Sequence, residues 1–85
     1  MGGKPQLECR HVKALLKMLG FSMVRQAGSH EHFQMFARGK LRTVTVDCPK
    51  APFSPDLIKS MSDQAGLNKK EFYAAAGGLM PSPWP

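Results

Sequence analysis

Two histidines and a short polar turn form the part of this 85-residue sequence that is best suited to chemistry. His30 and His32 are two positions apart, so in a strand both side chains would point to the same side. Histidine titrates near neutrality and is the usual side chain for moving protons at physiological pH. Gly28 permits close approach of the backbone, and Ser29 with nearby backbone N–H groups can hold a phosphate oxygen.

These residue types suit metal-free cleavage of RNA. A base takes the proton of a ribose 2′-hydroxyl, that oxygen attacks the adjacent phosphorus, and an acid protonates the leaving 5′-oxygen while cations stabilise the phosphate charge. We expect no cofactor. One alternative is a zinc site in which His30, His32 and Cys48 are the ligands, although no standard Cys/His spacing is present. Another is that the histidines are structural.

The size and charge of the chain limit the possible functions. Lys and Arg number 12 and Asp and Glu 6, so the net charge is +6, and the pI is about 9.8. A chain of this length forms one domain with one modest core, which excludes a multidomain enzyme, a nucleotide-binding α/β fold and a repeat array. The excess of positive charge indicates an anionic partner, with nucleic acid first and a membrane surface second.

The elements that position the histidines begin with a helix from about Leu7 to Leu19. Its apolar residues recur at the spacing of one helix face and are Val12, Leu15, Leu16 and Leu19. Gly20 is a favourable C-terminal residue for it. The cations on another face of this helix are Arg10, Lys13 and Lys17. They form either a solvated surface or a stripe that contacts phosphates.

Three strands and two further helices are predicted to follow. The strands span Phe21–Gln26, His30–Ala37 and Leu41–Cys48, joined by tight turns into an antiparallel meander. A helix capped by Ser54 then runs to Gly66, and a short one capped by Asn68 ends at Gly77. Amphipathic helices on one face of the sheet would complete a two-layer α+β sandwich, in the order α-β-β-β-α with a short extra helix. The other face stays open to solvent or ligand.

The remaining expectations concern boundaries and location. We expect a flexible N-terminus at 1–6, a single domain at 7–76 and an irregular Pro-rich tail at 77–85. Cys9 and Cys48 are too few for a disulfide scaffold, so both are expected to be reduced. No apolar run approaches the ~20 residues that span a bilayer, and no signal peptide is recognisable. We therefore expect a soluble cytoplasmic protein with no membrane partner.

The chain resembles a known family. Gly20-Phe21, Arg25 and Gly28-Ser29-His30-x-x-Phe33 look like the core signature of HicA toxins, the small ribosome-independent mRNA interferases of HicA–HicB toxin–antitoxin pairs. The similarity covers roughly Val12 to Phe72. It continues through three more segments, Val44-Thr45-Val46, Leu57-Ile58-Lys59 and Gln64-Ala65-Gly66-Leu67.

The resemblance implies a double-stranded-RNA-binding-domain-like fold, which agrees with the element order read from the residues. It also implies that His30 is catalytic, that Gly28 and Ser29 belong to the same motif, and that a HicB antitoxin covers the active site. Many members carry Val-Pro-x-His after the third strand. This chain has Val46-Asp47-Cys48-Pro49-Lys50 there, and Lys50 can contact phosphate.

Three functions are consistent with these observations. The first is an endoribonuclease toxin that cleaves mRNA, with His30 as general base or acid and the RNA held by other polar and basic residues. Those RNA-binding residues are Gly28, Ser29, Arg25, His32, Lys50, Arg10, Lys13 and Lys17. The second is a non-catalytic RNA-binding module in which the basic helix face is the footprint and His30 is incidental. The third is a repurposed toxin domain that only binds a partner protein.

Overall fold

A computed structural model describes residues 6–85 of the chain. Its main elements are α1 (Cys9–Leu19), β1 (Ser22–Ala27), β2 (His30–Ala37), β3 (Lys40–Asp47), α2 (Pro55–Ala65) and α3 (Lys69–Ala76), with a short 3-10 helix at Cys48–Lys50. The strands form one antiparallel sheet in the order β1-β2-β3. The α+β fold expected from the sequence is therefore confirmed. Within residues 6–85 no helix is long and apolar enough to cross a membrane.

The start of α1 is set by a capping box. The Glu8 side chain accepts the backbone N–H of His11, and His11 Nδ1 accepts the Glu8 N–H at 2.9 Å. The helix therefore begins at Cys9 rather than at Leu7. Its buried face is the expected one, made of Val12, Leu15, Leu16 and Leu19. Of the N-terminal segment expected to be flexible, residues 1–5 lie outside the described part of the chain, and Gln6 is exposed.

Two-residue turns set the register of the sheet. Arg38 and Gly39, with φ of 48° and 89°, join β2 to β3. Positive φ at both positions is typical of the type I′ turn that suits the twist of a hairpin. At the far end of this hairpin, the register places His30 opposite Asp47. Gly28, with φ of 60°, opens the turn between β1 and β2.

The first strand has an irregular register. A β-bulge shifts the register between Met23 and Arg25, and every residue of β1 is exposed. The strand predicted over Phe21–Gln26 is therefore present at Ser22–Ala27, but its residues do not alternate between buried and exposed. β1 is an edge strand of the sheet, and bulges are common at edges because the outer side has no partner strand to maintain the register.

Within residues 6–85, the helices pack against one face of the sheet and leave the other face uncovered. The packed face includes Phe33 opposite Val44, both buried, as the sequence predicted. The opposite surface, here called the open face, carries alternate residues of β2 and their β3 partners. These residues are His30, His32, Gln34 and Phe36 of β2 and Leu41, Thr43, Thr45 and Asp47 of β3.

The two C-terminal helices begin and end where the sequence predicted. Ser54 accepts the Leu57 N–H at 3.2 Å at the start of α2, which ends at Gly66. Asn68 and Glu71 form the capping box of α3. Because each cap satisfies backbone N–H groups that a helix leaves without partners, these local signals determine the boundaries.

The position of α2 relative to the sheet could not be read from the sequence. β3 is the second edge strand, and the backbone N–H of Thr45 donates outward to Gln64 Oε1 of α2 at 3.0 Å. This contact satisfies a donor that an edge strand would otherwise leave to solvent. It also holds α2 beside the end of β3 that carries Asp47.

Cys9 and Cys48 are joined in a disulfide, with their Cα atoms 5.1 Å apart. The expectation of two reduced cysteines is therefore wrong. The two residues are 39 positions apart in sequence, so their spacing gave no sign of a pair. They meet because the start of α1 lies against the segment that follows β3.

The Pro-rich tail at 77–85 contains no helix or strand, yet it is packed against the domain. Trp84 Nε1 donates to the Leu19 carbonyl at 2.8 Å, at the C-terminal end of α1. The Trp84 ring lies 6.5 Å from the ring of Phe21. The guanidinium of Arg38 lies over the same indole at 5.4 Å. The irregular tail is thus attached to both the helix and the sheet.

Candidate active site

A polar cluster lies where the β1–β2 turn meets the end of β3. Ser29 Oγ donates to Asp47 Oδ1 at 2.9 Å, and His30 Nε2 lies 3.2 Å from Asp47 Oδ2. One carboxylate thus holds both residues of the predicted motif, because the hairpin register places His30 opposite Asp47. We call Ser29, His30 and Asp47 the histidine–aspartate cluster.

His30 combines a fixed partner with access to solvent. Its side chain is 53% exposed, whereas that of Asp47 is 21% exposed. With the proton on Nε2, that nitrogen donates to Asp47, and the lone pair of Nδ1 is left to accept a proton. Within residues 6–85, Nδ1 of His30 has no hydrogen-bond partner. This arrangement can perform general acid–base chemistry on a molecule bound at the open face.

His32 and Thr45 form the next cross-strand pair along the open face. His32 Nδ1 lies 3.1 Å from Thr45 Oγ1 of β3. On the neighbouring strand β1, Arg25 is the cross-strand partner of His32. Arg25 is exposed, so its guanidinium can meet an anion on this face. The predicted residues Arg25 and His32 therefore flank His30 along one surface.

A groove opens beside His30, between the end of β3 and α2. It has a volume of about 210 Å³, and Lys50 lies on its rim. Lys50 is exposed and is the last residue of the short 3-10 helix that follows β3. A cation here can stabilise the charge of a phosphate held against His30.

The predicted cations of the first helix are not part of this cluster. Arg10 and Lys17 are exposed on α1, which packs on the face of the sheet opposite to His30. Lys13 forms an ion pair with Glu31 Oε1 at 2.9 Å. Glu31 is itself buried on the packed face of β2. Lys13 therefore neutralises a buried carboxylate rather than presenting a free charge.

Two further cations of the sheet make hydrogen bonds that stabilise the fold. Arg42 donates to the carbonyls of Ala37 and Arg38, each at 2.9 Å. Arg38 donates to both carboxylate oxygens of Glu71, at 2.8 and 2.9 Å. These hydrogen bonds raise the pKa of Arg38 and lower the pKa of Glu71, which also accepts the backbone N–H of Asn68. Arg38 and Arg42 thus act at the β2–β3 turn, not beside His30.

The residues that could hold a metal differ from those considered in the sequence. Within residues 6–85, one group has its ligand atoms within 4.8 Å of one another, and it consists of Cys9, Glu31 and Cys48. His30 and His32 are not in this group. Cys48 Sγ lies 3.4 Å from Glu31 Oε2, but sulfurs joined in a disulfide are not thiolate ligands.

Asp47 is the residue of this cluster that the sequence analysis did not single out. The signal was present, because a two-residue turn at Arg38-Gly39 fixes the pairing of every later residue in the hairpin. Counting outward from that turn brings His30 opposite Asp47. Gln64 and the groove gave no comparable signal, since they depend on how α2 meets the edge of β3.

Comparison with known proteins identifies the family. A family model described as "HicA toxin of bacterial toxin-antitoxin" matches residues 9–67, which is more than half of the chain. The match includes α1, the complete sheet and α2. No curated protein and no solved structure gave a significant match.

Proposed function

The chain belongs to the HicA family of toxins from bacterial toxin–antitoxin systems, and on this premise we propose that it is an endoribonuclease that cleaves mRNA with His30 as its catalytic residue. The observation that carries the proposal is the histidine–aspartate cluster. An exposed imidazole is held through Nε2 by a carboxylate that is itself fixed by Ser29. Such a pairing sets which nitrogen of the ring is free to take a proton.

The proposed reaction needs only groups that lie around the open face. His30 Nδ1 takes the proton of a ribose 2′-hydroxyl, and the resulting oxygen attacks the adjacent phosphorus. The bond from phosphorus to the 5′-oxygen breaks, and that oxygen takes a proton from solvent water, leaving a 2′,3′-cyclic phosphate and a 5′-hydroxyl, while His30 keeps the proton that it removed. Lys50 and Arg25 stabilise the charge on the phosphate. No step requires a metal ion.

The family also supports an antitoxin as the protein partner, and we propose a HicB-like antitoxin that covers the open face. This surface combines the exposed Phe36, which is 73% accessible, with His30 and neighbouring cations. An acidic antitoxin segment would match it in charge and take the place of RNA. An mRNA substrate implies that the toxin acts in the cytoplasm.

RNA cleavage by the wild type and by His30→Ala, run in parallel in EDTA, tests the proposal. We expect the wild type to cut single-stranded RNA and the variant to be slower by about 10²- to 10⁴-fold, the usual contribution of one general base or acid. A substrate that has hydrogen in place of the attacking 2′-hydroxyl should not be cut. Circular dichroism shows whether the variant is folded.

His11→Gln is a matched control for the loss of a histidine. His11 lies in the capping box of α1, and glutamine can fill the same capping role. This variant should therefore cleave RNA like the wild type. Retained cleavage in His30→Ala would contradict the catalytic assignment. Salt-sensitive RNA binding without cleavage at any pH from about 5 to about 9 would favour the non-catalytic RNA-binding module.

A further inference from the structure

The groove beside His30 is built differently from the rest of the open face. It is lined by His30, Thr45 and Asp47 on the side of β3 and by residues of α2 and the preceding segment on the other side. Its inner wall is apolar, since Phe53 is 7% and Met61 4% exposed. An apolar wall with a few polar groups at the rim is the usual composition of a small-ligand site.

The size of the groove suits one planar ring system. Its volume is about 210 Å³, and closed cavities of roughly 150 Å³ are known to hold benzene. A nucleobase is therefore about the largest ring system that it can enclose. Since the groove begins at His30, a base lying in it would belong to a nucleotide next to the scissile phosphate.

Gln64 determines which hydrogen bonds the groove can offer. Its Oε1 accepts the Thr45 backbone N–H at 3.0 Å, which fixes the amide and leaves Nε2 as the donor. Within residues 6–85, Nε2 has no other partner. Lys50 on the rim adds a second donor. The carboxylate oxygens of Asp47, which also line the groove, are already used by Ser29 and His30. The two donors therefore favour a base edge that presents neighbouring acceptors, and guanine presents O6 and N7 in this way.

We propose that this groove is the base-recognition site of the enzyme and that it selects guanine next to the cleaved phosphate of single-stranded RNA. The assignment rests on the proposed endoribonuclease function for its meaning in catalysis. In single-stranded RNA the bases are free to leave the stack and present their edges to a protein. Gln64 is then a specificity-determining residue, while His30 performs the chemistry.

Sequencing of the ends produced from a randomised RNA pool tests the proposal. The wild type should show a preference for guanine at one position beside the cut. Gln64→Glu keeps an oxygen to accept the Thr45 N–H but replaces the Nε2 donor with an acceptor. This variant should lose roughly five- to tenfold of the guanine preference, as expected for one hydrogen bond replaced by repulsion between acceptors.

Asn68→Asp is the matched control because it makes the same change of charge. Asn68 caps α3, does not line the groove, and can be replaced by aspartate as a helix cap. Its guanine preference should equal that of the wild type. Equal base preferences in the wild type and in Gln64→Glu would overturn the assignment of the groove.

A binding measurement separates this proposal from the proposed function. In NMR titrations, guanosine 3′-monophosphate should shift the side-chain amide resonances of Gln64 more than cytidine 3′-monophosphate does. If RNA is not cut but this shift is observed, the groove assignment is supported while the endoribonuclease function fails. If RNA is cut and the two nucleotides shift Gln64 equally, the function is supported while guanine recognition fails.

Discussion

At the scale of single residues, Asp47 decides how His30 can act. Its two carboxylate oxygens are used separately, one for Ser29 Oγ and one for His30 Nε2. A carboxylate in this position accepts a hydrogen bond from Nε2–H, keeps Nδ1 free as a base, and stabilises the imidazolium that forms when Nδ1 takes a proton. In the proposed reaction Asp47 is therefore a positioning residue, and Ser29 positions Asp47 in turn.

We predict that Asp47→Asn slows RNA cleavage, but less than His30→Ala does. The amide can donate through its nitrogen to His30 Nε2, which would move the ring proton to Nδ1 and block the base, and it does not stabilise the imidazolium. Because the imidazole remains, the loss should stay below the full 10²- to 10⁴-fold effect of a general base. Single-turnover cleavage measures this effect.

RNA affinity distinguishes positioning from a loss of binding. Removing a negative charge from the open face should leave the affinity of the Asp47→Asn variant unchanged or slightly tighter, as measured in EDTA with a 2′-deoxy substrate. Ser29→Ala should give a smaller effect on the rate, because the carboxylate remains. Weaker RNA binding that accounts for the whole loss of rate would contradict the positioning role.

Residue types alone led to the prediction that His30 is catalytic, but they did not show the partners of the charged groups. The sequence does not show which surface cations are already paired in the fold, because Lys13 pairs with the buried Glu31 and Arg38 pairs with Glu71. Spacing along a strand predicts which side a residue faces, as it did for His30 and His32. It does not predict which charge from another element lies within reach.

At the scale of elements, one ion pair connects the β2–β3 turn to α3. Arg38 has φ of 48°, a conformation that side chains other than glycine rarely adopt. Its guanidinium donates to both Glu71 oxygens and also to the carbonyls of Gly66 and Pro83. These contacts hold the turn in its left-handed conformation, and they join the sheet to α3 and the tail.

We predict that Glu71→Gln makes the stability of the protein less dependent on pH. The hydrogen bonds from Arg38, and then the one from the Asn68 backbone, hold the pKa of Glu71 below its usual value. A carboxyl with a lowered folded-state pKa stabilises the fold above its unfolded-state pKa, and this contribution is lost as the pH falls through the folded-state pKa. The free energy of unfolding of the variant should be lower than that of the wild type by about 1 kcal/mol at neutral pH, and almost equal to it in acid.

Urea unfolding over a range of pH measures this difference. Glutamine retains an oxygen for the capping box, so the start of α3 is preserved. Asp63→Asn is the control, since the Lys59–Asp63 pair is exposed, with side-chain accessibilities of 59% and 58%. Its stability should change little at any pH. An equal loss for Glu71→Gln in acid and at neutral pH would show that the charge is not the cause.

The elements were predicted best where the signal was local. The caps Ser54 and Asn68 fixed the starts of α2 and α3 because each satisfies backbone groups of its own helix. The bulge in β1 was missed because it arises from an edge strand that lacks a partner on one side. The contact of Gln64 with β3 was also missed, since an amphipathic pattern shows that a face is buried but not which element buries it.

At the scale of the whole molecule, two contacts between distant parts of the chain close the domain. The disulfide joins the start of α1 to the segment after β3. The tail brings Trp84 to the end of α1 and to the β2–β3 turn. The sequence predicted an irregular tail from its prolines, but composition does not show whether an irregular segment packs against the core.

We predict that the domain extends to the tail, so that Trp84→Ala destabilises the protein. The change removes the hydrogen bond to the Leu19 carbonyl, the ring contact with Phe21 and the interaction with Arg38. For the loss of a half-buried tryptophan we expect the free energy of unfolding to fall by about 2 kcal/mol. For a domain of this size, that change lowers Tm by roughly 8 to 16 °C. Thermal and urea unfolding measure both quantities.

Two further variants determine which part of Trp84 matters. Trp84→Phe keeps a ring against Phe21 but cannot donate to the Leu19 carbonyl, so its stability should lie between those of the wild type and Trp84→Ala. Leu79→Ala is the control for a change within the tail, because Leu79 is 67% exposed and should be tolerated. If Trp84→Ala unfolds like the wild type, the domain ends near residue 76 and the tail contributes nothing to its stability.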